Sequence, residues 1–431
     1  MNIHELYRRF VENPVISTDS RIRSEGAIFF ALRGDRFNGN EFAEAALKNG
    51  CRYAVIDDKI QAEDERYIVV DNALEYLQEL AALHRNYFTM PVVGITGTNG
   101  KTTTKELVSR VLERKYKVLS TKGNLNNEIG VPLTLLSLSS ETEIAVVEMG
   151  ANHIGEINRL CQIARPTHGL ITNIGVAHLE GFGSPENVRK AKAELYDFLE
   201  EMEGVVFYDE KNEVLNNMLQ ERRFEKVPYC DNRLFQGDLP ETDNPHLLSM
   251  ILNYMGDELQ IHTRLAGRYN VENVIAAVRV GDYFNVGIHQ IIEAIESYVP
   301  ENNRSQIVQT KYNTILLDAY NANPTSMVLA IDDFMRCSGT DGLLILGDML
   351  ELGVTAVEEH KKLVARLDGS GINDIILVGS IFSQISSGGD YHTFQTVDDL
   401  IDWLRRNPLR SRKIFIKGSR KIGLERIIDS L

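Results

Sequence analysis

No run in the 431-residue sequence is long and apolar enough to serve as a secretion signal or a membrane span. The chain opens with MNIHELYRRF, which is charged and amphipathic, so the expectation is a cytoplasmic protein with no membrane insertion. Cysteine is scarce. Cys51, Cys161, Cys230 and Cys337 lie far apart, with neither a CxxC pair nor zinc spacing, which excludes a disulfide framework and fits reduced thiols. A positive surplus is also missing: 46 Lys and Arg against 61 Asp and Glu give a formal charge of −15, which argues against nucleic acid as a partner. Any anionic ligand must be gripped locally. No internal repeat or low-complexity tract is evident. The 43% apolar content is enough for real cores, and at ~150 residues per domain the length predicts about three of them.

The most informative stretch is PVVGITGTNGKTTTKE, from Pro91 to Glu106. Val92, Val93 and Ile95 suit a buried strand, and Gly97 and Gly100 suit a tight loop that opens a helix. Loop N–H groups left pointing outward, with about +0.5 of an elementary charge at the helix N-terminus, would form a polyphosphate site. In such a loop Lys101 bridges the β and γ phosphates and the Thr102 hydroxyl takes Mg²⁺. The fit to GxxxxGK[ST] is imperfect, since Ile95 stands where the first glycine belongs.

Around this centre the chain divides into three α/β segments, 1–85, 86–300 and 301–431. In the first, AIFFAL, RYAVID and RYIVV read as strands between helices near 41–49 and 73–88. Its polar clusters STDSR and LRGDRFNGN either hold a sugar nucleotide or are solvated turns. The middle segment carries IAVVEMG, ending at Glu148 as a metal ligand would, and GLITNIG, a strand read over 169–175. Read alone, His178 beyond that strand is a satisfied polar residue, and Lys192 belongs to a solvated helix face. The asparagine-rich loop KGNLNNEIG suits a polar substrate beside the phosphates, and Asn270 and Asn273 sit where a loop enters a helix. Residues 209–260 read as irregular. The last segment alternates the strands ILLDAY, GLLILG, DIILVG and KIFIKG with helices near 325–337, 357–368, 397–405 and 421–430, predicting an open parallel sheet. DAYNANP, LGDMLELG and KGSR would then face a ligand crevice.

TGTNGKTTT, GNLNNEIGVPLTLL, VVEMGANHIGEI, TNIGVAHLEGFGSPENVRKAKAEL, GRYNVENVIAA, DAYNANPTSM, LGDMLELG and KGSR together resemble the Mur ligase superfamily, and STDSR and FFALRG carry the likeness into the first segment. GTNGKTT alone would also fit a folylpolyglutamate synthetase. HLEGFGS with AKAEL, and DAYNANPTSM, point to the subgroup that adds D-alanyl-D-alanine to UDP-N-acetylmuramoyl-tripeptide. A non-catalytic nucleotide switch is the competing class, which Glu148, His178 and Lys192 together disfavour.

The resemblance implies a small α/β UDP-binding domain, a central P-loop ATPase with a mainly parallel sheet, and a C-terminal Rossmann-like domain that brings the amine. It implies ATP and Mg²⁺ as cofactors, the two substrates just named as partners, and a monomer. Gly97, Thr98, Asn99, Gly100, Lys101, Thr102 and Thr103 would hold the ATP phosphates, with Asn273, Arg304, Asp318 and Asn321 near its adenine, ribose or phosphates. Thr102 and Glu148 would bind one magnesium, and His178 with Lys192 a second. Lys192 matches the lysine that this superfamily carries as a carbamate. Thr18, Asp19, Ser20, Arg21, Leu32 and Arg33 match uridine and diphosphate contacts, with Asn124 and Asn127 also toward the UDP-substrate. Asn323, Ser419 and Arg420 are candidates for the dipeptide. Two positions depart from the pattern: the expected FDGH reads Phe37-Asn38-Gly39-Asn40, and the methionine expected after KGSR is Leu424.

Overall fold

The computed structural model describes the chain except residues 1, 35–36, 59–64, 230–234, 237–245, 302, 339–341, 370, 373 and 387–390, and the side chains of 235–236. Cys230, and Asp35 and Arg36 of the LRGDRFNGN cluster, therefore lie outside the described residues. The first segment builds a four-stranded parallel sheet in which Ile28–Phe30 lies between Ile16–Ser17 and Tyr53–Ile56, with Tyr67–Val69 at the far edge. Its two inner strands, IFF and YAVI, are apolar and almost wholly buried, and helix Ala73–Arg85 packs beside them. Asn40, in the departed motif, is buried and holds the carboxylate of Asp57 through its Nδ2 at 2.7 Å, while Arg33 Nε reaches the same carboxylate at 2.8 Å.

The middle segment forms a six-stranded parallel sheet centred on Val92–Thr96, which pairs with Ile144–Glu148 on one side and His168–Ile171 on the other. The chain thus reverses its direction of strand addition at the phosphate-loop strand, and that switch point is where doubly wound sheets open a ligand crevice. Helix Pro185–Glu201 lies against this sheet over Gly169, where a Cβ would stand 2.4 Å from Leu199 Cδ1. Lys192, Leu195 and Leu199 are spaced three and four apart, so the face that packs leucine on the sheet also buries the lysine. At 2% exposure, Lys192 is not on a solvated face.

Three expectations change. The strand read over 169–175 stops at Ile171, because Thr172 and Asn173 turn to hydrogen-bond the phosphate loop. The region 209–260 is not irregular throughout: helix Glu213–Leu219 is followed by a long hairpin of Leu247–Tyr254 and Asp257–Ala266. The segment 421–430 is 3₁₀ rather than α, interrupted by Gly423 in the left-handed region. The last sheet runs in the order Gln306–Gln309, Thr314–Asp318, Lys413–Lys417, Gly342–Gly347, Asp374–Val378, His392–Phe394; only its first strand is antiparallel.

His168, the first residue of a central strand, is buried among the rings of Phe207, Tyr283 and Phe284, with Nδ1 2.8 Å from the Thr167 hydroxyl. Burial holds it neutral and lowers its pKa to about 4. The unfolded chain takes up a proton near pH ~6.5, so this stabilisation is complete above that pH and is lost as pH falls toward 4. We expect His168→Phe to lose up to about 3 kcal/mol less unfolding free energy than the parent between pH 7 and pH 4, measured by urea denaturation. Equal losses in both proteins would show that His168 does not couple protons to folding.

Candidate active site

Strand Val92–Thr96 delivers the chain into the loop Gly97–Gly100, and helix Lys101–Leu112 begins immediately after. Gly97 has φ +144°, and a Cβ there would lie 2.0 Å from Thr172 Oγ1. Thr172 Oγ1 donates to the Asn99 carbonyl at 2.6 Å, while Asn173 accepts the Thr98 N–H on its carbonyl at 2.9 Å and the Asn99 N–H on Oδ1 at 3.0 Å. The expectation that the loop N–H groups all point outward is therefore corrected. Those of Thr98 and Asn99 are tied to the neighbouring strand's loop, and the anion cradle is the first helical turn, where the N–H groups of Lys101, Thr102 and Thr103 have no intrahelical acceptor. Lys101 Nζ folds back onto the carbonyls of Gly97 and Thr98 at 2.8 and 3.0 Å. Burial lowers its pKa to about 8; Glu148 opposes that shift and Arg304 adds to it.

Glu148 ends its strand beside Ile95, at the same edge of the sheet. Its Oε1 accepts from Thr102 Oγ1 at 3.1 Å and from Asn126 Nδ2 at 2.8 Å, whereas its buried Oε2 has no hydrogen-bond partner among the described residues. A lone carboxylate oxygen beside a threonine hydroxyl fits Mg²⁺, a hard cation that takes one or two carboxylates and fills its shell with water and phosphate oxygen. Among the described residues no three His, Cys, Asp or Glu side chains gather into a metal cage.

A cavity of about 720 Å³ opens over the cradle. One wall is the loop and helix start from Thr98 to Thr103, with Glu148, His178, Asn273, Asn124 and Asn127; facing it are Arg304, Asp318, Asn321 and Asn323 from the C-terminal module. Asn323 Nδ2 donates to Asn99 Oδ1 at 2.7 Å, so the last module touches the phosphate loop directly. Asn273 accepts from Thr104 Oγ1 at 3.0 Å and donates to Asn270 at 2.8 Å. The Arg304 guanidinium stacks 3.5 Å from the Tyr320 ring centroid, with Arg420 5.2 Å from the same ring. Asp318 pairs with the buried Lys417.

The remaining predicted residues do not line this cavity. Lys192 lies behind it, buried, with its pKa lowered to about 7 by burial and by the charge of Lys101. Ser419 is buried and accepts the Leu350 N–H at 2.9 Å. Thr18, Asp19, Ser20, Arg21, Leu32 and Arg33 are in the first module; Asp19 and Arg21 pair with each other on the surface, and Leu32 is a core residue. Sequence reading missed Asn126, Asn173, Tyr320 and Lys417. Of these only Lys417 carried a visible cue, as the charged end of the apolar strand KIFIK.

A phosphate cradle on one sheet, faced across a cleft by the strand ends of another, defines a nucleotide-binding α/β protein of separate modules. Three domain families match the chain: "Mur ligase family, catalytic domain" over 14–85, "Mur ligase middle domain" over 95–281, and "Mur ligase, glutamate ligase domain" over 303–420. The chain belongs to the Mur ligase family. It is similar to UDP-N-acetylmuramoyl-tripeptide–D-alanyl-D-alanine ligase of Bacillus subtilis, at 32% identity over 100% of this chain and 97% of that protein, and of Escherichia coli, at 32% over 96% and 93%. Among solved structures it resembles MurF from Acinetobacter baumannii (TM-score 0.87, 31% identity, 96% of this chain and 92% of that one). It also resembles MurF ligase from Thermotoga maritima in complex with ADP (TM-score 0.85, 25% identity, 96% of each chain).

Because Gly97 is held in a conformation unfavourable for other residues and against Thr172, Gly97→Ala is expected to cost ~1–3 kcal/mol of unfolding free energy. It should also weaken ATP binding measured by calorimetry, since Thr172 and Asn173 set the loop. Native stability with native ATP affinity would contradict that account of the loop.

Proposed function

We propose that this chain is an ATP-dependent amide ligase, forming ADP and phosphate, that joins D-alanyl-D-alanine to UDP-N-acetylmuramoyl-tripeptide in cytoplasmic synthesis of the peptidoglycan precursor. The observation that carries this reading is the cavity between two sheets. A phosphate cradle beside Glu148, whose buried Oε2 has no hydrogen-bond partner among the described residues, forms one side, and the strand ends of a separate module form the other. Similarity along the full length to ligases of that name supports the substrates, and the ADP complex of one relative supports the nucleotide. In this reading the three modules are 1–85 for the UDP moiety, 86–300 for ATP and 301–431 for the amine.

A peptide carboxylate is a poor electrophile, so its oxygen first attacks the γ-phosphorus, ADP leaves, and an acyl phosphate forms. The amine of D-alanyl-D-alanine then attacks the acyl carbon, and the tetrahedral intermediate loses phosphate and a proton. The first step brings two anions together. Lys101, released from the Gly97 and Thr98 carbonyls, sets its charge against the phosphates, and the N–H groups of Lys101 to Thr103 hold the oxygens. Arg304, braced on Tyr320, adds a second cation from the opposite wall. Asn273, Asp318 and Asn321 bind the rest of the nucleotide. Thr18 to Arg21, Leu32 and Arg33 hold the uridine diphosphate, and Asn124 and Asn127 lie nearer the reacting end. Asn323, with Ser419 and Arg420, serves the dipeptide. Thr102 and Glu148 would hold one magnesium ion, and His178 with a carbamate on Lys192 would hold a second, which would supply neutralisation of the phosphate charge.

Lys192 is suited to that modification. An ordinary lysine has only on the order of one amine in 10³ neutral at pH 7. Burial and the charge of Lys101 bring Lys192 down to about 7, so its neutral amine is far more abundant and can attack CO₂, losing a proton to give a carbamate. The test is a coupled phosphate-release assay with the purified protein. We expect turnover to require ATP, the UDP-tripeptide and the dipeptide together, and Lys101→Ala to lower it by at least ~10²-fold. Lys192→Ala and Lys192→Arg should be nearly inactive, Lys192→Glu should retain little, and formate or acetate should partly restore Lys192→Ala. Phosphate release without either substrate, or a Lys192→Arg protein with normal turnover, would contradict the reading.

A further inference from the structure

Glu351 lies in the LELG segment beyond strand Gly342–Gly347, in the C-terminal module, yet its hydrogen bonds reach the central one, with Lys421 of its own module nearby. Its Oε2 is 2.7 Å from His178 Nδ1, and its backbone carbonyl accepts the Glu180 N–H at 3.2 Å. A few residues before His178, the Val176 N–H donates to Thr325 Oγ1 at 3.2 Å. The loop that presents His178 is therefore gripped from the other module on both sides of the histidine. His178 itself has φ +52°, a left-handed conformation that a side chain disfavours and that surrounding contacts must hold.

A carboxylate only accepts, so the hydrogen bond places a proton on Nδ1, and the neutral imidazole then carries its lone pair on Nε2. An imidazole that donates one ring N–H to a carboxylate is the common arrangement behind a metal-binding histidine. We propose that Glu351 is a positioning residue that fixes the tautomer and orientation of His178 for a divalent cation, so that this ligand is complete only when the C-terminal module is docked. This rests on the reading of His178 as a metal ligand and adds to it a dependence on the module opposite. The nucleotide position of Thr102 and Glu148 lies wholly within the central module and is independent of Glu351.

The experiment counts bound Mn²⁺ by the electron paramagnetic resonance of the free ion, on the full chain with a non-hydrolysable ATP analogue. Two ions should bind the parent protein and one the His178→Ala variant. Glu351→Ala should weaken the second ion ~10–100-fold and leave the tighter one unchanged. Glu351→Gln, whose amide oxygen still accepts from Nδ1–H, should lose less than Glu351→Ala and keeps the test open if the alanine variant folds poorly. Two ions held by Glu351→Ala at parental affinity, or both weakened equally, would overturn the role of Glu351 alone. A parent protein that binds one ion, unchanged in His178→Ala, would overturn the second metal position itself and this proposal with it.

Discussion

Positive charge held in a buried cleft is the condition on which the rest of this structure depends. The chain is acidic overall, with a formal charge of −15, so no general surface field draws a triphosphate and a carboxylate together. Lys101, Arg304 and Lys417 instead line the cavity with Glu148 and Asp318, and Lys192 is buried behind it. Crowding has a measurable consequence, since burial and the neighbouring charge of Lys101 bring Lys192 down to about 7. A site that must hold two anions thus also prepares a lysine that can lose its own positive charge.

The cleft is shared between modules. Asn323 reaches Asn99 of the phosphate loop, Thr325 reaches Val176, and Glu351 reaches His178, so the phosphate loop and the loop that carries His178 are both fastened from the opposite module. While Ala266 of the central module packs into the core of the C-terminal one, each of these three contacts is polar and can be broken and remade at small net cost. That suits a cavity that admits large substrates and then closes against water before a hydrolysable acyl phosphate forms.

Much of this was legible in the sequence where apolar runs are continuous. Val92–Thr96, Ile144–Glu148 and Gly342–Gly347 are buried on both faces, and buried parallel strands read as unbroken Val, Ile and Leu. The hairpin Leu247–Ala266 was not, because its turn is Met255-Gly256, both left-handed, where an Asn-Gly pair would have been the clear cue. Motif positions identified Lys101, Thr102, Glu148, His178 and Asn273, and the structure sets all of them around one cavity. Lys192 misleads when read alone: the charges of Arg189, Lys190 and Glu194 beside it suggest a solvated helix, and only the spacing of Val188, Leu195 and Leu199 around it reveals a buried face. Asn173, Tyr320 and Glu351 were not identified because their importance lies in a partner distant in sequence, such as Asn99, Arg304 or His178.

The account depends on the peptide carboxylate being joined to phosphate in this cleft before the amine arrives. The most direct measurement supplies UDP-tripeptide labelled with ¹⁸O in its terminal carboxylate, together with ATP and D-alanyl-D-alanine, and determines the isotope in released phosphate by mass spectrometry. An acyl phosphate predicts one carboxylate oxygen carried into phosphate at every turnover. Amide product accompanied by unlabelled phosphate would contradict it.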